Sequence, residues 1–267
     1  MSNLNFVLGL VHNSHLLDNS FVNRFKTLEI KNPLLKIPKK EDYLYHSNYS
    51  VSLEGVSKEI ENDLKIIGDL SIRRFSFDVG PCYSSIISKN NKYYPGKNLI
   101  KKKDLINMTG EEINKLNKLF NNKTKLAVEN LNYYDTGAYE EDVCIPEFYN
   151  EISEKFNIEQ ILDLAHLKVS AINLNKTFKS MLSRVNQEFV KEIHLTKIDI
   201  ESTNSAIDSH LAPTEEEFSD LLIALENNPN NDIDIVIEAW RDTESLVKSF
   251  EDLYIYLRKN SKHKIIF

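Results

Sequence analysis

LAVENLNYYDTGAYEEDVCIPEFYNEISEKFNIEQILDLAH occupies positions 126 to 166. It opens on a short apolar run, Leu126–Leu131, and closes on another, Gln160–His166. Between them, Pro146–Phe156 has the spacing of an amphipathic helix. Strand, helix and strand in that order imply parallel pairing through a crossover helix. Both runs end in polar groups: Glu129 with Asn130, and Asp163 with His166. A buried unpaired charge costs several kcal/mol, so apolar strands that finish in carboxylates need compensation at their ends.

The same alternation extends in both directions. Toward the N-terminus, strands are expected at Phe6–Val11, Phe25–Ile30, Tyr43–Leu53 and Arg74–Val79. Toward the C-terminus they are expected at Glu192–Ile198 and Asp234–Ala239. Helical patterns fall at Val56–Gly68, Thr109–Phe120, Thr214–Asn227 and Thr243–Asn260. Eight strands alternating with helices predict a closed (β/α)8 barrel, with an open doubly wound sheet as the alternative. No G-x-G-x-x-G follows any strand, which argues against a dinucleotide site. No linker or repeat interrupts the chain, so residues 1–267 read as a single TIM-barrel domain. Tyr83–Lys103 reads as the longest irregular piece, placed to overhang the catalytic face or to leave it as a surface excursion.

Composition narrows the function. The chain has 267 residues, 41% of them hydrophobic, enough for a large core. A net charge of −7 argues against a broad electrostatic grip on nucleic acid. Cys82 and Cys144 form neither a disulfide framework nor a zinc-finger pattern. No apolar run approaches the roughly 18 residues of a membrane span, and no signal peptide is evident. A cytoplasmic protein is the simple expectation.

In a (β/α)8 barrel, chemistry sits at the C-terminal strand ends. The candidates there are Glu29 and Asn32, His46, Asp78, Glu129 with Asn130, Asp163 with His166, His194, Asp208 with His210, and Glu238. Each has a bland reading. Glu129–Asn130 could cap a strand, Asp163–His166 could cap a helix, and His194 could be a satisfied core histidine. Glu238 could pair with Arg241, Asp208 and His210 could be ordinary residues of the loop after the EIHL run, and His12 and His15 fit a polar loop. Their coincidence on at least five of eight strands points instead to a shared metal. Histidine with carboxylate suits iron, zinc or manganese, and the lack of paired cysteines argues against structural zinc.

Taken in order, several motifs resemble the multinuclear non-haem iron-dependent oxidative enzymes, the barrel family that includes the methanobactin biosynthesis oxidase. They are GLVHNSHLL, FKTLEIKN, YHSNYSVSLEG, Glu129-Asn130, PEFYNEISEKFNIEQILDLAHLKVSAIN, EIHL, IDSHLAP and VIEAW. The resemblance implies a xylose-isomerase-like barrel holding two or three iron ions. It implies dioxygen as co-substrate, a ribosomally made peptide (often modified at Cys) as substrate, and a partner protein that presents the peptide. Carried over by position, the metal ligands would be His46, Glu129, Asp163, His194, Asp208, His210 and Glu238. Two positions depart from the pattern. Asp78 stands where the family has a ligand histidine, and His166 stands where it usually has asparagine. Either could be a ligand or a catalytic proton carrier. The D-x-x-H of Asp163–His166 is closer to the endonuclease IV and sugar isomerase branches of the barrel. A non-redox enzyme using zinc or manganese, acting on phosphate esters or isomerising sugars, is therefore the competing expectation.

Overall fold

The computed structural model describes residues 3–10, 18–67, 70–89, 92–239 and 243–267. The first strands are β1 (Asn3–Leu10), β2 (Thr27–Ile30), β3 (Asp42–Ser50) and β4 (Ile72–Asp78), with helix α1 (Asn19–Val22) after β1 and α2 (Val56–Ile67) after β3. A hairpin of β5 (Ile86–Lys89) and β6 (Lys92–Pro95) then precedes α3 (Lys102–Leu119). Next come β7 (Lys125–Glu129), α4 (Pro146–Phe156), β8 (Glu159–Asp163), α5 (Leu164–Asn173), α6 (Phe178–Leu182) and β9 (Val190–Leu195). A second hairpin, β10 (Lys197–Ile200) and β11 (Ala206–Leu211), leads to α7 (Glu215–Glu226), β12 (Asp232–Ile237), α8 (Thr243–Asn260) and β13 (Lys264–Ile266).

Eight strands run in the order β1, β2, β3, β4, β7, β8, β9, β12, all neighbours parallel, and β12 returns to pair with β1. Closure is fixed by pairs such as Phe6 with Ile235. This is the expected (β/α)8 barrel, a layout in which every strand end opens on one mouth. Period-two alternation decides what faces inward. In β3, Tyr45 points out and its hydroxyl meets Asp63 of α2 at 2.6 Å, while Leu44 joins Val7 and Val236 in an apolar cluster of their own.

Charge fills the barrel on either side of that apolar trio. Arg74, 5% exposed, reaches Glu159 at 2.7 Å, Glu192 at 3.0 Å and Asp234 at 2.6 Å. Arg73 adds a forked contact to Asp234 at 3.0 and 3.1 Å. Along β12 and one residue past its end the interior series is Asp234, Val236, Glu238: a charged floor, an apolar layer and a charged mouth.

Several sequence boundaries are corrected. Tyr83–Lys103 is not irregular, because its alternating residues pair as the β5–β6 hairpin and Tyr83 bridges Leu99. The third strand ends at Ser50 rather than Leu53. His166 lies on α5, not on the strand, because Asp163 caps that helix and ends β8. The expected strand Glu192–Ile198 breaks at Thr196 into β9 and β10. Helix α3 begins at Lys102 and passes through Gly110, which sits beneath the Phe156 ring of α4.

Candidate metal centre

The mouth is built from short pieces of backbone, each locally enforced. Asp163 ends β8 and opens α5, its Oδ1 accepting from the His166 amide at 2.7 Å. Asn130 grips the same point from β7: its side chain donates to the Asp163 carbonyl at 3.0 Å and accepts from the Asp163 amide at 2.8 Å. The Asn130 carbonyl lies 2.8 Å from His166 Nδ1. That acceptor fixes the N–H on Nδ1 and turns Nε2 toward Asp208, 3.4 Å away. Asp208 and His210 are not loop residues as the sequence implied. They lie on β11, where His210 takes a left-handed φ of 49°. Its Nε2 then lies 3.1 Å from Asp208 and its Nδ1 3.7 Å from Glu238.

The remaining contacts connect the set. Glu238 Oε1 lies 3.0 Å from His194 Nδ1, as does Glu129 Oε1. Glu129 Oε2 meets His46 Nε2 at 3.2 Å, and Glu129 Oε1 lies 3.9 Å from His166 Nδ1. The structure thus brings His46, Glu129, Asp163, His166, His194, Asp208, His210 and Glu238 into one contiguous group. Asp78 faces it closely enough to feel the charges of Glu129, His166 and His194. His12, His15 and Arg241 lie outside the described residues. The sequence reading passed over Lys31 and Glu192 and left Glu29 outside the ligand set. Glu192 holds His194 Nε2 at 2.9 Å, and Glu29 lies 3.3 Å from the same nitrogen. The available signal was alternation: Glu29 and Lys31, like Glu192 and His194, are two residues apart on one strand face.

Electrostatics divides the group. Burial opposes ionisation of Glu129, but His46 and His194 outweigh it and hold the carboxyl well below its ordinary range. Burial likewise opposes a charge on His194 and His166. Around His194, Lys31 adds to that opposition, yet Glu129 and Glu29 raise the ring well above its usual value. Around His166, Asp163 and Asp208 do the same. His46 is driven the other way, to about 3, by burial and then by Lys31. A neutral His46 donates from Nε2 to Glu129 and accepts from Ser76 Oγ at Nδ1, 2.9 Å away. Burial and then Glu129 push Asp78 up to about 7, and burial pushes Asp163 up to about 6 against the pull of His166.

These residues fit a metal. Two groups place one donor atom per residue within 4.8 Å of one another: Glu29–His194–Glu238 and Glu129–Asp163–His166. Glu29 Oε1 and Oε2, Asp78 Oδ1 and Asp163 Oδ2 are buried and accept no hydrogen bond among the described residues, an arrangement that is costly without a cation. Oxygen and imidazole donors without thiolate suit a hard or borderline divalent ion.

Fold and mouth together define a xylose-isomerase-like TIM barrel. D-psicose 3-epimerase from Clostridium cellulolyticum H10, determined with D-tagatose, is similar with a TM-score of 0.59 at 12% identity, covering 97% of this chain and 99% of that one. Endonuclease IV from Thermus thermophilus is similar with a TM-score of 0.57 at 12% identity, covering 97% and 100%. No curated protein matches the chain. The family model of the RiPP precursor modification enzymes MbnB/TglH/ChrH matches residues 86–253, more than half of the chain, and the chain belongs to that family. Its enzymes modify ribosomally made precursor peptides. The matched segment contains Glu129, Asp163, His166, His194, Asp208, His210 and Glu238, whereas Glu29, His46 and Asp78 precede it.

Proposed function

We propose that this chain is an iron-dependent enzyme that oxidatively modifies a residue, Cys above all, of a ribosomally made precursor peptide, with dioxygen as the oxidant. The observation that carries the reading is the continuous group of buried carboxylates and imidazoles at the barrel mouth of a chain from a peptide-modifying family. Glu129, Asp163, His166, Asp208 and His210 would hold metal, with His46, His194 and Glu238 completing the set. When bound, iron would supply open coordination positions and one-electron chemistry for thiolate and dioxygen. The chain's own residues do the rest. The Asn130 carbonyl holds the His166 proton at Nδ1 and leaves Nε2 as the donor atom. His46 needs the reverse of its resting tautomer: with Nδ1–H donated to Ser76 Oγ and that hydroxyl turned to the Tyr45 carbonyl, 3.4 Å away, Nε2 is freed. Asp78, titrating near 7, can hold or release a proton beside the group at neutral pH. A peptide would enter beneath two hairpins, joined where Lys92 of β6 meets Glu201 beyond β10 at 2.5 Å. A partner protein presenting the peptide belongs to the same reading.

The test is metal analysis after anaerobic purification, followed by oxygen uptake with a Cys-containing peptide. More than one equivalent of iron, and uptake coupled to a change in peptide mass, are expected. Turnover without oxygen, or with zinc or manganese alone, would replace this reading with a non-redox hydrolase or isomerase.

A further inference from the structure

The two candidate metal groups are not equivalent, and Lys31 is the reason. Alternation along β2 and past its end turns Thr27, Glu29 and Lys31 to the barrel interior, and only 11% of the Lys31 side chain is exposed. Its Nζ lies 3.2 Å from Glu29 Oε1 and donates to Glu238 Oε1. Those two carboxylates, with His194, are one entire candidate group. The lysine is seated there by its surroundings. Its carbonyl accepts from Asn48 Nδ2 at 2.8 Å. A Cβ on Gly9 would lie 3.8 Å from Lys31 Cε and 3.6 Å from Glu29 Oε1, ordinary contact distances, so β1 runs directly alongside the lysine stem. The other group, Glu129–Asp163–His166, has no lysine or arginine ion pair among the described residues, and that ammonium is what sets the two groups apart.

We propose that the Lys31 ammonium is a built-in cation of the Glu29–His194–Glu238 group, standing in place of a metal ion there, so that those three residues hold no ion of their own and His194 and Glu238 serve only the metal on the side of Glu129, Asp163, His166, Asp208 and His210. The proposal rests on the metal-dependent reading above. A divalent ion bound by Glu29 and Glu238 would share both carboxylates with an ammonium only a hydrogen bond away, and like charges at that separation repel strongly in a buried site. Lys31 thereby sets how many ions the mouth accepts.

The experiment is anaerobic reconstitution with ferrous ion and measurement of bound metal by elemental analysis. The wild-type protein, Glu29→Gln, Lys31→Met and the double variant are compared, with circular dichroism as the check on folding. Glu29→Gln is expected to bind as much metal as the wild type. Lys31→Met is expected to gain one equivalent, and adding Glu29→Gln to it should remove that equivalent. Loss of an ion from Glu29→Gln in the otherwise native chain overturns the proposal, as does a folded Lys31→Met that binds no more than the wild type. If Lys31→Met fails to fold, the Glu29→Gln result alone decides. A wild-type protein that takes up no metal would sink the metal-dependent reading itself, an outcome distinct from an ion lost only on changing Glu29.

Discussion

Replacing Arg74 by Met removes the hub of the barrel floor. The guanidinium contacts Glu159, Glu192 and Asp234 within 3.0 Å and is almost wholly buried. Methionine matches the stem but leaves those carboxylates short of a cation. Two are partly compensated: Asp234 keeps Arg73 at 3.0 Å, and Glu192 keeps His194 at 2.9 Å. The cost is therefore that of breaking one buried ion-pair cluster, about 3–5 kcal/mol, and not three such losses added together. For a chain of this size that corresponds to a Tm lower by roughly 10 °C. Equilibrium urea unfolding of metal-free protein at neutral pH, read as the midpoint shift at constant slope, measures it. Arg73→Met is the control: its side chain is 36% exposed, and removing it should cost about 1 kcal/mol. A loss from Arg74→Met below about 1 kcal/mol would refute the reasoning, because it would mean the floor carboxylates are adequately solvated without the arginine.

Three further outcomes follow from the geometry. His46 titrates near 3 when folded and near 6.5 when unfolded, so only the unfolded chain takes up its proton between those values; the stability His46 contributes is lost as pH falls below 6.5, by about 2 kcal/mol at pH 5. His46→Gln should therefore narrow its stability gap to the wild type by that amount between pH 7 and 5, as read by urea unfolding of metal-free protein. Asn130→Ala removes both side-chain bonds to the Asp163 backbone and should cost about 2–3 kcal/mol, with ferrous affinity falling about tenfold or more in a metal titration. Gly110→Ala puts a methyl 2.6 Å from the Phe156 ring and should cost about 1–3 kcal/mol in the same unfolding assay while leaving metal content unchanged.

Much of the fold was legible because barrel strands are short, apolar and separated by helices of clear period. Helix α4 matches its sequence reading residue for residue, Pro146–Phe156. Strand ends were harder, since a capping side chain and a ligand are the same residue type. Asp163 ends β8 by capping α5, which a run such as ILDLAH cannot reveal. Asp208 and His210 read as loop because β11, among the described residues, pairs only with β10, in a two-stranded hairpin outside the barrel sheet. His46, Glu129, Asp163, His194 and Glu238 were singled out as candidate donors from their place at expected strand ends. Lys31 and Glu192 were missed because charged residues on a strand normally mark its solvent face, and here the interior is itself charged.

Asp163 divides its two oxygens between unrelated duties. Oδ1 starts a helix, and Oδ2, buried beside His166, accepts no hydrogen bond among the described residues. Asparagine reproduces the first oxygen and puts a neutral amide in place of the second. On the metal-dependent reading proposed above, architecture and reactivity are thus separable at one atom, and an Asp163→Asn protein is expected to keep the shape of the mouth while losing turnover. Such a protein is a trap: a peptide that enters it is held unaltered and can be recovered and sequenced, which identifies the natural substrate without requiring turnover.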